Sequence, residues 1–180
     1  STSSRSARIT FTTTAGGNTV TRYHDITQRG AAATLSLSTS SRNFSATGGN
    51  YGFTVTSNTN WRWSGKPSWV STGESTNQSG NQSFSYSVSP NTSPSSRSAT
   101  LTFTTTSGGN AITRTHRITQ DPAPTLSLSS SSRTFSSQSG GGSFSVISNT
   151  SWRWSGKPSW GTANESSGQN GNQLFSYSVQ

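Results

Sequence analysis

Cysteine is absent from this chain, and so is methionine. Disulfide staples are therefore excluded, and thiol usage says nothing about the compartment. Acidic residues are nearly as scarce: Asp25, Glu74, Asp121 and Glu165 are all of them. A paired carboxylate of the kind glycoside hydrolysis needs is hard to assemble from that set. Hydrophobic residues make up 25% of the chain and charged residues 9%. Such poverty would suit a disordered chain, but disorder goes with few aromatics and high charge. Aromatics here reach 10% and fall in alternating runs, so a thin β core is expected. No run approaches the ~20 apolar residues that a membrane-spanning helix needs.

What fills the space is serine and threonine, at about 40% of positions, far above ordinary usage. The formal charge is +9, mainly because acids are few. The thirteen Lys and Arg stand singly along the chain. No basic run and no nucleic-acid-binding motif accompanies them, so a solvated surface is the plain reading and no nucleic-acid partner is expected.

The strongest feature is an internal repeat. SSRSARITFTTTAGGNTVTRYHDITQ at 3–28 returns as SSRSATLTFTTTSGGNAITRTHRITQ at 95–120. Gln28 thus matches Gln120, 92 positions on. Residues 34–88 return as 125–179, with Phe44 matching Phe135, 91 positions on. The phase predicts three segments: the C-terminal half of a repeat at 1–30, a complete repeat at 31–121, and the N-terminal half of a further repeat at 122–180. Either this is a window on a longer stalk, or each half is completed by a neighbouring repeat or a second chain.

Period-2 alternation is frequent. Leu35 and Leu37, Phe53 and Val55, Phe84, Tyr86 and Val88, and Ala99, Leu101 and Phe103 each form an inward row. The opposite positions are Ser and Thr, and threonine's branched Cβ favours extended backbone. Ala15-Gly16-Gly17-Asn18 and Ser107-Gly108-Gly109-Asn110 read as hairpin turns. Gly48-Gly49-Asn50 and Gly140-Gly141-Gly142 mark another corner. No stretch shows helical spacing. Asp121-Pro122-Ala123-Pro124 reads as a stiff linker, with Arg29–Ala33 as its softer counterpart. The fold class expected is all-β, as tandem antiparallel β-sandwiches.

Candidate chemistry is sparse. Neither Asp25 nor Asp121 recurs in the repeat: Arg117 and Arg29 stand in those places. Glu74 and Glu165 recur, one per repeat, in polar loops. His24 and His116 alternate with apolar residues and read as packed or edge-strand histidines rather than metal ligands. No catalytic residue, metal site or cofactor is expected, and the chain is not expected to be an enzyme. The tryptophans are the best binding candidates. Flat rings at Trp63 and Trp154, with Arg62, Lys66, Arg153 and Lys157 beside them, could stack on sugars and hydrogen-bond them. The competing reading is that so serine-rich a sandwich needs these rings in its core. Both readings stand for Trp63, whereas Trp61 and Trp69 read as core.

Taken in order, Ser57 to Trp61, Pro67 to Trp69, Phe84 to Val88, Asn91 to Ser93, Arg97 to Ala99 and Ile118 to Gln120 resemble the BACON domain. Trp63 departs from the pattern, standing where the family more often has a smaller aliphatic residue. The resemblance implies an immunoglobulin-like sandwich from Bacteroidetes or their phages. It implies an extracellular or cell-surface setting, in long repetitive adhesins or beside polysaccharide-active enzymes. A structural or adhesive filament, self-associating through neighbouring repeats, is the first function expected. A carbohydrate-binding module that takes polysaccharide is the alternative.

Overall fold

The computed structural model describes residues 2–106 and 110–180, and within these every regular element is a β-strand. One compact unit takes in the residues up to Pro90 together with Arg97–Gln120. The second takes in Asn91–Ser96 and Asp121–Gln180.

The first unit opens with a hairpin, β1 (Arg5–Ala15) and β2 (Asn18–Gln28). Ala15 faces Asn18 across a two-residue turn, and Gly16 and Gly17 have φ of 59° and 83°. Two successive left-handed residues define the turn whose twist matches paired strands, and glycine takes that conformation without steric cost. The turn expected at Ser107–Asn110 has residues 107–109 outside the described residues. Among the described residues β1 and β2 pair only with each other.

A complete β-sandwich follows. Its first sheet contains β3 (Leu35–Leu37), β5 (Gly49–Ser57), β9 (Gln82–Val88) and β7 (Val70–Ser71), in that order. Its second contains β4 (Ser41–Phe44), β11 (Thr113–Gln120), β10 (Arg97–Thr105), β6 (Asn60–Ser64) and β8 (Asn77–Ser79), again in spatial order. All neighbours are antiparallel except β4 and β11, which run parallel. The sequence forms these strands because Ser and Thr alternate with apolar residues, which puts one face in a core and the other in water. Phe53, Val55, Phe84, Tyr86 and Val88 from the first sheet meet Trp61, Trp63, Leu101, Phe103 and Ile118 from the second. The inward rows expected from alternation are therefore the core, apart from Ala99 and the half-buried Leu37.

The second unit has β12 (Leu126–Leu128), β13 (Gly140–Ser148), β14 (Ser151–Arg153), β15 (Gly161–Ala163), β16 (Gly168–Asn170) and β17 (Gln173–Val179). A four-stranded sheet β12-β13-β17-β15 repeats the first sheet of the sandwich strand for strand. Phe144 faces Phe175 in it, as Phe53 faces Phe84 in the complete unit. Opposite stands only the two-stranded pair β14-β16. Residues 132–135, which match β4, form no strand. In the complete unit β4 is held by β11, and no counterpart of β11 lies beside 132–135 among the described residues.

Asn91 shows why the Asn-x-Ser stretch is structural. Its Oδ1 accepts from the Ser93 backbone N–H at 3.2 Å, and its Nδ2 donates to the carbonyls of Ser95 and Asp121, each at 2.9 Å. A buried amide that ties a turn and a linker residue together has most of its bonding capacity used.

Candidate functional site

The complete sandwich places Trp63 in its core, 6% exposed. The ring meets Phe84 edge-on, with centroids 5.1 Å apart, and its indole N–H donates to the Ser75 carbonyl at 2.8 Å. A sugar would need the face that the core occupies, so Trp63 offers no stacking platform here. The physical reason is its partner across the sheet: Phe103 of β10 lies directly opposite. Trp61 is buried as expected, and its indole N–H donates to Gly80 O at 2.9 Å.

Among the candidate cations, Lys157 lines an open cleft of the second unit together with Trp154, whereas Arg62, Lys66 and Arg153 do not line it. Lys66 Nζ donates to Val70 O at 3.2 Å and closes its own loop. Lys157 does the same to Gly161 O at 3.0 Å. Arg62 and Arg153 are exposed and point away from the tryptophans beside them. Trp154 is half-buried, and its indole N–H donates to Ser166 O at 2.9 Å.

Titratable groups are tied into structure. His116 is fully buried, stacked on Phe53 at 4.4 Å. Its Nδ1 lies 3.2 Å from the Thr39 carbonyl, which can only accept, so Nδ1 carries the proton. Nε2 then accepts from the Tyr86 hydroxyl at 2.8 Å. Burial holds the His116 pKa below its usual value, partly offset by the Thr39 carbonyl, and burial pushes the Tyr86 phenol up. Glu74 accepts from the Ser85 hydroxyl at 3.1 Å. Asp25 pairs with Arg8 at 2.6 Å on the exposed hairpin, which lowers its pKa. Among the described residues no group of three or more His, Asp or Glu could hold a metal ion.

His116 gives a pH prediction. A histidine with a depressed folded pKa resists protonation, while the unfolded chain takes the proton near the ordinary value of about 6.5. Its contribution is full above that value and is lost as the pH falls through the folded pKa. The melting temperature of the complete unit is expected to be lower at about pH 5 than at about pH 7.5. His116→Gln should flatten that dependence. An unchanged slope in the variant would remove His116 as its cause.

An aromatic-lined site does stand open. In the second unit a cleft of ≈ 410 Å³ is lined chiefly by Phe135, Phe144, Trp154, Trp160, Phe175 and Tyr177. These match Phe44, Phe53, Trp63, Trp69, Phe84 and Tyr86 of the complete unit. There, five of the six are buried and Trp69 is half-buried under Arg97, whose guanidinium carbon lies 4.6 Å from the ring centroid. Trp160, the match of Trp69, is 59% exposed. The ring frame is nevertheless the same in both units. Trp154 meets Phe175 at 5.1 Å and 81°, against 5.1 Å and 80° for Trp63 and Phe84. Of the six, only Trp154 was a candidate site residue from sequence; Trp160 was noted only as one of the repeated tryptophans and Phe135 only as the match of Phe44, while Phe144, Phe175 and Tyr177 were not singled out. Carrying the core of the complete repeat forward by 91 positions would have found all of them.

No protein-family model matches the chain, and no curated protein does either. Solved structures do resemble it. A Bacteroides ovatus GH5 xyloglucanase, solved with a XXXG heptasaccharide, is similar over 51% of this chain at 21% identity, with a TM-score of 0.43. The matched region is 19% of that enzyme, so the chain spans about a fifth of its length. A Porphyromonas gingivalis protein of unknown function is similar over 81% of this chain and 83% of its own, at 12% identity and a TM-score of 0.40.

Proposed function

We propose that this chain is a non-catalytic structural repeat of a long extracellular or cell-surface filament or stalk, built of stacked immunoglobulin-like sandwiches of the BACON kind. The observation that carries the reading is the fate of the repeated aromatics. Trp61, Trp63, Phe84 and Phe103 are core residues in the complete unit, so what the repeat preserves is a packed domain rather than a ligand pocket. Stacked domains with near-identical cores need only neighbour contacts to extend in one dimension. The non-catalytic part of the reading rests on His116, Glu74 and Asp25, whose bonds are spent within the fold.

The alternative, a carbohydrate-binding module using exposed aromatics, rests on Trp160 at the rim of the open cleft. Both readings meet in one measurement. Affinity electrophoresis of the intact chain through gels of xyloglucan and other plant and bacterial polysaccharides is expected to show unretarded migration. Retardation by one polysaccharide that is abolished in Trp160→Ala would replace the structural reading with the binding-module reading. Arg62→Ser and Arg153→Ser serve as controls for charge.

A further inference from the structure

Two open surfaces in this molecule are complementary, and the complete unit supplies the template for their union. In that unit the β10–β11 hairpin fills the middle of the five-stranded sheet, between β4 and β6. Leu101, Phe103, His116 and Ile118 from this hairpin are fully buried. The β1–β2 hairpin is its repeat, with the same register: Arg5 faces Gln28 and Ile9 faces His24, as Arg97 faces Gln120 and Leu101 faces His116. Yet every residue of β1 is exposed. Ile9, Phe11, Val20 and Ile26 project from one face of the hairpin into water. A two-stranded hairpin with an apolar face is marginal alone and invites a partner.

The second unit has the matching vacancy in its sheet. Its β14 pairs with β16 on one side, and the strand that β10 provides in the complete unit has no counterpart there among the described residues. Gly156 carries a further mark. Its match, Gly65, has φ of 90°, and a Cβ there would sit 2.3 Å from the carbonyl oxygen of Thr100 on β10. Gly156 keeps the same conformation, φ 84°, with nothing within 4 Å. The loop is shaped for a backbone that this unit does not contain. Trp160 likewise keeps the place of Trp69 without its arginine cover.

We propose that the β1–β2 hairpin of one copy of this chain inserts into the open cleft of the Asp121–Gln180 unit of a second copy and completes its second sheet. The inference rests on the structural reading above and names its partner. The template fixes the register. Phe103 faces Trp63 and Thr104 faces Arg62 in the complete unit, so Phe11 of one copy faces Trp154 of the next and Thr12 faces Arg153. Gln120 faces Phe44, so Gln28 faces Phe135 and draws residues 132–135 into an edge strand. His24 meets the Tyr177 hydroxyl, as His116 meets Tyr86. Arg5 covers Trp160, as Arg97 covers Trp69. The donor hairpin and the acceptor cleft are different surfaces. The contact is therefore heterologous, and where it does not close into a ring it propagates as a filament.

The test uses the intact chain, whose lack of cysteine makes introduced thiols unambiguous. Sedimentation across the micromolar range is expected to show species heavier than the 19.0 kDa monomer, growing with concentration. Mixing Thr12→Cys chains with Arg153→Cys chains and oxidising is expected to give a disulfide-linked dimer of the two, because cross-strand partners lie within disulfide reach. Ser6→Cys mixed with Arg153→Cys, six residues out of register, is expected to give none. Phe11→Ala should weaken association by about a hundredfold or more, the effect of emptying a buried phenylalanine site. It should leave the melting of the complete unit unchanged. A monomer at every concentration, or cross-linking indifferent to register, would overturn the proposal. A folded monomer that also passes unretarded through polysaccharide gels would overturn only the pairing and leave the stalk of covalent repeats standing.

Discussion

Phe103→Ala is expected to destabilise the complete unit by about 3–5 kcal/mol, a large part of the ~5–15 kcal/mol that a domain of this size holds. Phe103 is 0% exposed, and its ring meets Phe53 at 5.7 Å, Trp61 at 5.8 Å and Phe84 at 5.1 Å. It is one of the rings that join the two sheets, and its loss leaves a cavity lined by three aromatics. Those three are themselves pinned by backbone pairing or an indole hydrogen bond, which limits collapse into the space. With only 25% hydrophobic residues in the chain, few other contacts can compensate. The same substitution at Phe11 makes the internal control. Phe11 occupies the matching position of the repeat but is 58% exposed, so Phe11→Ala should change the same transition by no more than about 0.5 kcal/mol. Urea titration followed by tryptophan fluorescence measures both. Equal losses at the two positions would mean that the hairpin β1–β2 is buried against the sandwich, contrary to the exposure seen here.

The contrast between these two phenylalanines marks how far sequence reading reaches. Alternation places Phe84, Tyr86 and Val88 on one face, and all three are buried. That rule is local, since successive side chains in a strand point to opposite faces. The Gly16-Gly17 turn is local in the same way. Burial is not local. Phe11 and Phe103 sit in near-identical surroundings of sequence and differ only in what lies beyond the hairpin. Trp63 had two readings because its status depends on β10, whose Phe103 is forty positions away and faces it across the sheet. Leu126 and Leu128 repeat Leu35 and Leu37, yet they are exposed where Leu35 is buried and Leu37 half-buried. The parallel pairing of β4 with β11 left no mark in the periodicity either. The repeat itself was the one long-range signal. Reading the core of the whole unit onto the partial one is what turns Phe135, Trp160, Phe175 and Tyr177 from scattered aromatics into the wall of one cleft.

Gln120→Leu is expected to cost about 2–3 kcal/mol, because it removes a buried amide that bonds to several groups at once, one of them the charged Arg97. The Gln120 side chain is 1% exposed. The two hydrogens of its Nε2 are shared among the carbonyls of Ser45, Ala46 and Ser89, at 3.2, 3.1 and 3.0 Å. Its Oε1 accepts from Arg97 Nε at 2.8 Å, and Arg97 also donates from a terminal nitrogen to the carbonyls of Ser89 and Pro90. One amide therefore fastens the end of β11 to two loops, at the corner where β4 ends. Leucine keeps the volume but removes the amide, so the Arg97 Nε–H loses its acceptor and the Ala46 carbonyl its side-chain donor, while Ser45 O keeps the Gly48 N–H and Ser89 O keeps Arg97. Gln120→Glu separates geometry from bonding. It keeps the acceptor for Arg97 but turns an oxygen toward the three carbonyls, and it should be at least as damaging as leucine despite its identical shape. Thermal unfolding of both variants decides the matter, and a loss below about 1 kcal/mol for either would show that the carbonyls find other donors. The same clasp exists on the free hairpin, where Arg5 Nε donates to Gln28 Oε1 at 2.7 Å. There Gln28 is exposed, so Gln28→Leu should leave monomer stability unchanged and act only where a second copy brings the carbonyls of Ser136 and Ser137 within reach. A residue that is inert in the monomer and costly in the assembly is the signature that a hairpin preformed for another sheet would leave.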